Sequence, residues 1–184
     1  DTVVITGIQA NGEDSASGGG GIYIGSGTVA ISGNVNITGN ISALFGSGVY
    51  VTDDKNAFLT VSGAVQVTDN QQSGRNEIEN IYLSTGKTIT VDKLDAGAKI
   101  GVSTEADPTA AENQAVTIAA ASGSGSLTDI IAAHFESDQS KYHVECADGK
   151  VILKAGGPHK HYLCGEDPCV CPVKEAQMVT FKPW

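Results

Sequence analysis

The sequence predicts an all-β fold, a parallel β-helix of three to four coils. Residues 29–40 align without a gap on residues 59–70, and five positions of this pair are identical. A second phrase, Gly or Asn followed by aliphatic-Tyr-aliphatic, occurs three times, around Tyr23, Tyr50 and Tyr82. Both phrases recur at intervals of about 30 residues and contain only strand and turn residues, which is typical of a β-solenoid. A β-sandwich also has many short strands, but it has no reason to repeat its sequence in register.

Each coil is predicted to contain three short strands. In the second coil they cover residues 29–31, 35–37 and 49–51. Side chains two positions apart point to the same side of a strand, so the Val and Ile residues can face inward while Tyr50 faces outward. Gly and Asn between the strands suit sharp corners that require positive φ. Stacked coils would then bury one continuous aliphatic core.

The repeated phrases also resemble a known group of proteins. The motifs GIYI at 21–24 and ISGNVNITGN at 31–40 resemble right-handed parallel β-helix repeats in large secreted or wall-attached proteins of Gram-positive bacteria. They are also similar to the Gly-Gly-Ala-Ile repeats of autotransporter-type adhesins. The resemblance covers about half of the chain, roughly residues 2–90. It implies a right-handed β-helix that acts as a rigid stalk or an adhesive surface, although a minority of such proteins are polysaccharide lyases or glycoside hydrolases.

The coils follow one another along the chain. Residues 2–24 form a partial first coil, residues 28–51 the second, 58–83 the third and 87–104 a fourth, and a further strand is expected at 115–120. Asp53 and Asp54 lie in the turn between the second and third coils. Paired carboxylates there could bind calcium, but Asp-Asp-Lys-Asn is ordinary turn composition, and we favour a solvated turn over a calcium site.

The spacing of apolar residues changes from a strand pattern to a helical one after the coils. Leu127, Ile130, Ile131 and His134 follow helical spacing, with Phe135 next to them. We interpret His134 as a packed or edge histidine. A hairpin is predicted around the turn 147–149, with Cys146 as a small buried residue. The predicted domains are therefore a β-helix over 1–120, a helix-plus-hairpin α/β cap over 121–155 and a Cys/His-rich tail over 156–184.

The tail concentrates two His and three Cys within residues 159–171. Three interpretations remain open: disulfides, a zinc site, or an unstructured tail with reduced thiols. A zinc site would use His159, His161, Cys164 and Cys169. Disulfides would pair among Cys146, Cys164, Cys169 and Cys171. The tail, with Phe181 and Trp184 near its end, also resembles short His/Cys-rich modules of Gram-positive surface proteins.

The charge of the chain excludes two classes of partner. Eleven Lys and Arg stand against 21 Asp and Glu, a net charge of −10, which repels phosphate backbones and anionic membranes. No run approaches the roughly 20 apolar residues of a membrane-spanning helix. The chain starts at Asp1 without a signal peptide, and residues 3–7 already look like residues 35–39. We therefore expect a fragment of a secreted or cell-surface bacterial protein, with its signal peptide, anchor and adjacent domains outside this stretch.

The function predicted from these features is non-catalytic: a structural or adhesive segment that binds a glycan or a host surface protein through outer strand faces and loops. Tyr23, Tyr50 and Tyr82 occupy equivalent outward positions, where they could stack against sugars or simply shield the sheet. The alternative is a fragment of a polysaccharide lyase or glycoside hydrolase. A hydrolase needs two carboxylates within about 5–10 Å, whereas the repeats place Asn, Thr, Ser and Gln outward and leave only loop acids such as Asp69.

Overall fold

The computed structural model describes residues 1–12, 18–109 and 114–156 of the 184-residue chain. Within these ranges the protein is a β-solenoid of about four coils, closed at its C-terminal end by a short helix and a hairpin. Three sheets run along the solenoid, and all pairings between successive coils in them are parallel. The predicted parallel β-helix is confirmed.

The coils contribute strands to three sheets in one order, although the partial first coil has none in sheet 3 and the fourth coil has none in sheet 2. Sheet 1 contains β1 (Val3–Thr6), β3 (Ile22–Ile24), β5 (Val35–Thr38), β7 (Val49–Val51), β9 (Val65–Thr68), β12 (Ile81–Leu83), β14 (Lys99–Thr104) and β16 (Phe135–Ser137). Sheet 2 contains β2 (Gln9–Ala10), β6 (Ile41–Ser42), β10 (Gln71–Gln72) and β11 (Glu77–Ile78). Sheet 3 contains β4 (Gly27–Ser32), β8 (Ala57–Gly63), β13 (Ile89–Leu94), β15 (Val116–Ala121), β17 (Tyr142–Ala147) and β18 (Lys150–Ala155).

The register of the coils matches the repeats in the sequence. Val29 pairs with Leu59, and Val35 with Val65, as the gap-free alignment predicts. The inward positions then form vertical columns of apolar side chains. One column runs through five rungs: Ile5, Ile37, Val67, Ile100 and Phe135. Such columns bury the apolar face that no single coil could cover.

A short arm projects from the second and third coils between their two sheet 1 strands. It comprises residues 39–48 in one coil and 69–80 in the next, and its β6 and β10 form the core of sheet 2. In the fourth coil β14 runs straight through sheet 1 and has no arm: Lys99–Ile100 pairs with β9, and Val102–Thr104 pairs with β12. The sequence prediction did not include this arm, since two-residue strands leave little periodicity to detect.

The C-terminal cap differs in one respect from the prediction. The hairpin β17–β18 is confirmed, with Asp148 and Gly149 at positive φ in its turn. The helix is confirmed but is only one turn long, α1 (Asp129–Ala132). Ile130 is 78% exposed, so it does not belong to a buried stripe. The helix stops early because Phe135 joins sheet 1 through β16, where it extends the apolar column.

The edges of the cap are bonded into the solenoid. β16 pairs with β14 and β18 pairs with β15. His134 lies at this junction, with its Nδ1 3.0 Å from the Ala98 carbonyl oxygen, which confirms an edge histidine. No helix in the described ranges is both long and apolar enough to cross a membrane. The predicted domain limits remain a prediction.

Candidate functional site

The three repeated tyrosines form one column on sheet 1. Tyr23 pairs with Tyr50, and Tyr50 pairs with Tyr82, in adjacent parallel strands. The ring centroids of Tyr23 and Tyr50 are 5.6 Å apart at 71°, and those of Tyr50 and Tyr82 are 5.7 Å apart at 73°. These are edge-to-face contacts, which the ring quadrupole favours. The structure therefore brings the predicted residues together, and their role in binding a ligand remains a prediction.

The column is covered in the middle and open at one end. Phe45 from the arm stacks on Tyr82 at 4.6 Å and 25°, and it also contacts Tyr50. Gly18 lies against the Tyr50 ring so closely that a side chain there would overlap it. As a result Tyr50 is 9% exposed, Tyr82 is half-buried and Tyr23 is 44% exposed. Tyr23 is the tyrosine of this column that a large ligand can reach.

A ladder of buried asparagines stands where the arms leave the coils. Asn70 Oδ1 accepts hydrogen bonds from the backbone N–H and from Nδ2 of Asn40, each at 3.0 Å. Asn80 Oδ1 accepts the same two bonds from Asn70, at 3.1 and 3.0 Å. Asn40 Nδ2 also donates to the Ile5 carbonyl, and Asn70 Nδ2 to the Ile37 carbonyl. The ladder thus satisfies the backbone groups that the arms take out of the sheet.

Asp138 forms the last rung of this asparagine ladder. Its Oδ2 accepts from the Asn80 backbone N–H at 2.7 Å and from Ser103 Oγ at 3.0 Å, and its Oδ1 accepts from Asn80 Nδ2 at 2.6 Å. A carboxylate suits this position because the terminal rung only has to accept hydrogen bonds. Burial raises the pKa of Asp138, while the hydrogen bonds from Asn80 oppose the shift. Both oxygens of Asp138 are therefore already engaged.

Beside Asp138 lies a cleft of about 520 Å³, here called the acidic cleft. It separates the end of the third-coil arm from the loop after β16. Its lining includes Glu77, Glu79, Ser103, Asp138, Gln139 and Lys141. The tyrosine column leads into it, because Ser103 is the register partner of Tyr82 in the next coil. The acidic cleft and the tyrosine column are thus neighbouring parts of one surface.

Glu79 is the most unusual group in the acidic cleft. It is 8% exposed, and its Oε2 has no hydrogen-bond partner among the described residues. Burial raises the pKa of Glu79 to about 7; a hydrogen bond from the Gly46 N–H opposes this shift, and the negative charge of Asp138 adds to it. Near neutral pH the carboxyl group is therefore partly protonated, which is one of the perturbations found at functional sites.

Glu79 should make the stability of the protein depend on pH. Its pKa is about 7 when folded and about 4.5 when unfolded, so the folded state binds the proton more tightly. The stabilisation is complete below about pH 4.5 and is lost as the pH rises through about 7, a fall of roughly 3 kcal/mol in the free energy of unfolding. Urea denaturation between pH 4 and 8 should show this fall in the native protein and a smaller one in Glu79→Gln.

The matched control is Glu77→Gln, which removes an exposed carboxylate from the same cleft. Its pH profile should stay close to that of the native protein, because the charge of Glu77 raises the pKa of Glu79 far less than burial does. The difference between the native and Glu79→Gln profiles therefore reports Glu79 together with its interaction with Asp138. Identical profiles for Glu79→Gln and the native protein would contradict the raised pKa.

The loop acids considered in the sequence analysis have structural positions. Asp54 Oδ1 accepts from the Asn56 backbone N–H at 2.8 Å in an exposed turn, and Asp53 is exposed beside it. Asp69 has φ 57° and occupies the same corner as Gly39, at φ 65°, in the preceding coil. These arrangements are those of turn and corner residues.

Most residues of the predicted disulfides and zinc site lie outside the described part of the chain. They are His159, His161, Cys164, Cys169 and Cys171. Cys146 is a free thiol in the described part of the chain; it is half-buried, not fully buried, and its Sγ donates to the Leu127 carbonyl at 3.3 Å. Within residues 1–12, 18–109 and 114–156, no three His, Cys, Asp or Glu side chains converge as a metal site would require.

Glu79, Asp138 and Phe45 were not recognised from the sequence. Glu79 directly precedes the third Asn-aliphatic-Tyr phrase, and Phe45 is the one aromatic residue between the second-coil strands β5 and β7. Both could have been noted as departures from the repeat. Asp138 is 58 residues from Asn80, and no spacing in the sequence connects them.

Comparisons with protein-family models, with curated proteins and with solved structures found no match for this chain. Its function is therefore inferred from its own residues and their geometry.

Proposed function

We propose that this chain is a non-catalytic structural and adhesive segment of a secreted or cell-surface protein of a Gram-positive bacterium, and that it binds a glycan through the outer face of sheet 1. The observation that supports the binding role best is the tyrosine column with Tyr23 at its open end, 44% exposed. An exposed ring beside polar strand residues suits the apolar face of a sugar. Domains adjacent in the same polypeptide are the other partners of such a segment.

The structural role is supported by how the coils are joined. Apolar columns and the asparagine ladder both run from coil to coil, so neighbouring coils share their core and their buried hydrogen bonds. A solenoid of this kind resists bending because each coil is fixed by its neighbours. It can therefore hold a binding surface at a distance from an anchoring point.

A polysaccharide-cleaving enzyme is the second candidate, favoured by one observation. Glu79 and Asp138 line the same cleft, and a glutamic acid with a pKa of about 7 can donate a proton near neutral pH. A glycoside hydrolase uses two carboxyl groups, and the one that does not donate the proton must be free to act as a base or nucleophile. Asp138 accepts three hydrogen bonds from Asn80 and Ser103 with its two oxygens. Its position as the end of a structural ladder favours the non-catalytic role.

The proposal is tested by a glycan array probed with the native protein, Tyr23→Ala and Phe58→Ala. Phe58 is also an exposed aromatic residue, 51% accessible, but it lies on sheet 3. Loss of one stacking ring should weaken binding roughly fivefold to tenfold in Tyr23→Ala and leave Phe58→Ala unchanged. Equal binding by the two variants would overturn the role of the tyrosine column, and release of reducing ends from a bound glycan, abolished by Glu79→Gln, would establish the enzyme instead.

A further inference from the structure

Two residues that line the acidic cleft, Glu79 and Gln139, each have a buried acceptor atom. Neither Oε2 of Glu79 nor Oε1 of Gln139 has a hydrogen bond within the described ranges. An unpaired buried acceptor costs free energy, so native proteins rarely retain one unless another group satisfies it. The Gln139 oxygen can only accept, and Oε2 of Glu79 accepts when the carboxyl group, whose pKa is about 7, is ionised. A ligand that satisfies them must therefore bring hydrogen-bond donors.

The charges around the cleft specify the ligand further. Glu77, Glu79 and Asp138 line the cleft with one cation, Lys141, and the positive charge of Arg75 nearby opposes the rise in the pKa of Glu79. The Lys141 Nζ lies 3.5 Å from Asp107 Oδ1 and 4.6 Å from the centroid of the Tyr142 ring, so its charge is directed away from the glutamates. The cleft therefore retains negative charge in a partly desolvated site, where a cation is attracted and a carboxylate or phosphate is repelled.

The remaining lining is that of a sugar site. Ser140 offers a hydroxyl group, and Ile78, 40% exposed, offers an apolar surface. A volume of about 520 Å³ lies within the usual range for small-molecule sites. The described residues contain no cluster suited to a metal ion, which leaves an organic cation as the better match. The glutamate carboxyl rotates about a soft terminal torsion, so Oε2 can turn towards such a ligand.

We propose that the acidic cleft binds the protonated amino group of an amino sugar, with Glu79 as its counter-ion and Gln139 as a second acceptor. This inference rests on the proposed glycan-binding function and names the sugar chemistry that it selects. The exposed ring of Tyr23, three strands from Ser103 in the same sheet, would then contact another residue of the same saccharide.

The test uses isothermal titration of the whole chain with a glucosamine hexasaccharide and with its fully N-acetylated counterpart, at about pH 6.5. The amine form should bind at least about tenfold more tightly, and Glu79→Gln should lose most of this difference, because a buried charge pair is removed. The control Asp53→Asn removes an exposed charge outside the cleft and should change affinity no more than about threefold.

A second measurement needs no variant. A bound ammonium group favours the ionised form of Glu79, whose pKa is raised to about 7 in the free protein, so binding should release a fraction of a proton. Titrations in two buffers of different ionisation enthalpy detect this release. Equal affinity for the two saccharides without proton release would overturn the amino-sugar inference and leave glycan binding intact. Binding of a lysine-containing peptide but of neither saccharide would also overturn it, and the glycan array decides separately whether glycan binding fails.

Discussion

Replacement of Asn70 by alanine should lower the free energy of unfolding by about 3–5 kcal/mol, the largest loss expected from any single polar side chain in the described ranges. Asn70 is 0% exposed. Its Oδ1 accepts two hydrogen bonds from Asn40, and the two N–H groups of its Nδ2 are shared among three acceptors, the carbonyls of Ile37 and Thr68 and Asn80 Oδ1. Alanine leaves these groups without their partner, and the contacts with Asn40, Ile37 and Asn80 are buried.

The loss is measured by urea denaturation followed by circular dichroism, with Asn34→Ala as the control. Asn34 is an exposed asparagine in the same coil as Asn40, and its Nδ2 donates to Thr2 Oγ1 at 2.8 Å. Its replacement should cost no more than about 0.5 kcal/mol. If Asn70→Ala were as mild as Asn34→Ala, the ladder would contribute little to stability and the coils would be held by their apolar columns alone.

The sequence could predict whatever follows from a regular repeat. Val29, Val35 and Val49 alternate with polar or aromatic residues, so the period of a strand decides which side chains face inward. A repeat without gaps also fixes the register between coils, because residue 29 can pair with residue 59 only if residue 35 pairs with residue 65. The tyrosine column follows from the same reasoning.

What the sequence could not predict depends on contacts that break the repeat. Asn40 and Asn70 are equivalent positions, but the next rung is Asn80, which occupies the sheet position of Gly48 in the coil before. The last rung is Asp138, from the C-terminal cap. These contacts arise because the fourth coil has no arm and leaves space over β14. Only the folded chain shows that this space is filled by Asn80 and Asp138 together.

The helix in the cap illustrates a different limit. Spacing alone favoured a stripe from Leu127 to Phe135, and Leu127 and Phe135 are both buried. Phe135, however, gains more by joining the apolar column of sheet 1 than by remaining on a helix whose Ile130 has nothing to pack against. Tertiary packing here overrides a local pattern of nine residues, as is common for short helices.

Gly101→Ala should lower the free energy of unfolding by about 2–4 kcal/mol, although alanine is normally favoured over glycine in a strand. A Cβ atom at this position would overlap Asn80 Nδ2 and Asp138 Oδ1, and it would lie 2.9 Å from Asn80 Cγ. To make room, Asn80 and Asp138 must separate and lose the hydrogen bonds that end the ladder. The loss is measured by thermal unfolding followed by circular dichroism.

The control for this prediction is Gly97→Ala, four residues earlier. A Cβ atom there would meet only Ala64 Cβ at 3.5 Å, an ordinary van der Waals contact. Neither glycine has a positive φ, so backbone strain does not separate the two variants. Gly97→Ala should be neutral or slightly stabilising, because alanine reduces the entropy of the unfolded chain. A similar result for both variants would mean that the ladder can end without Asp138, whereas a loss confined to Gly101→Ala would show that this carboxylate adds to the strand pairings that join the cap to the coils.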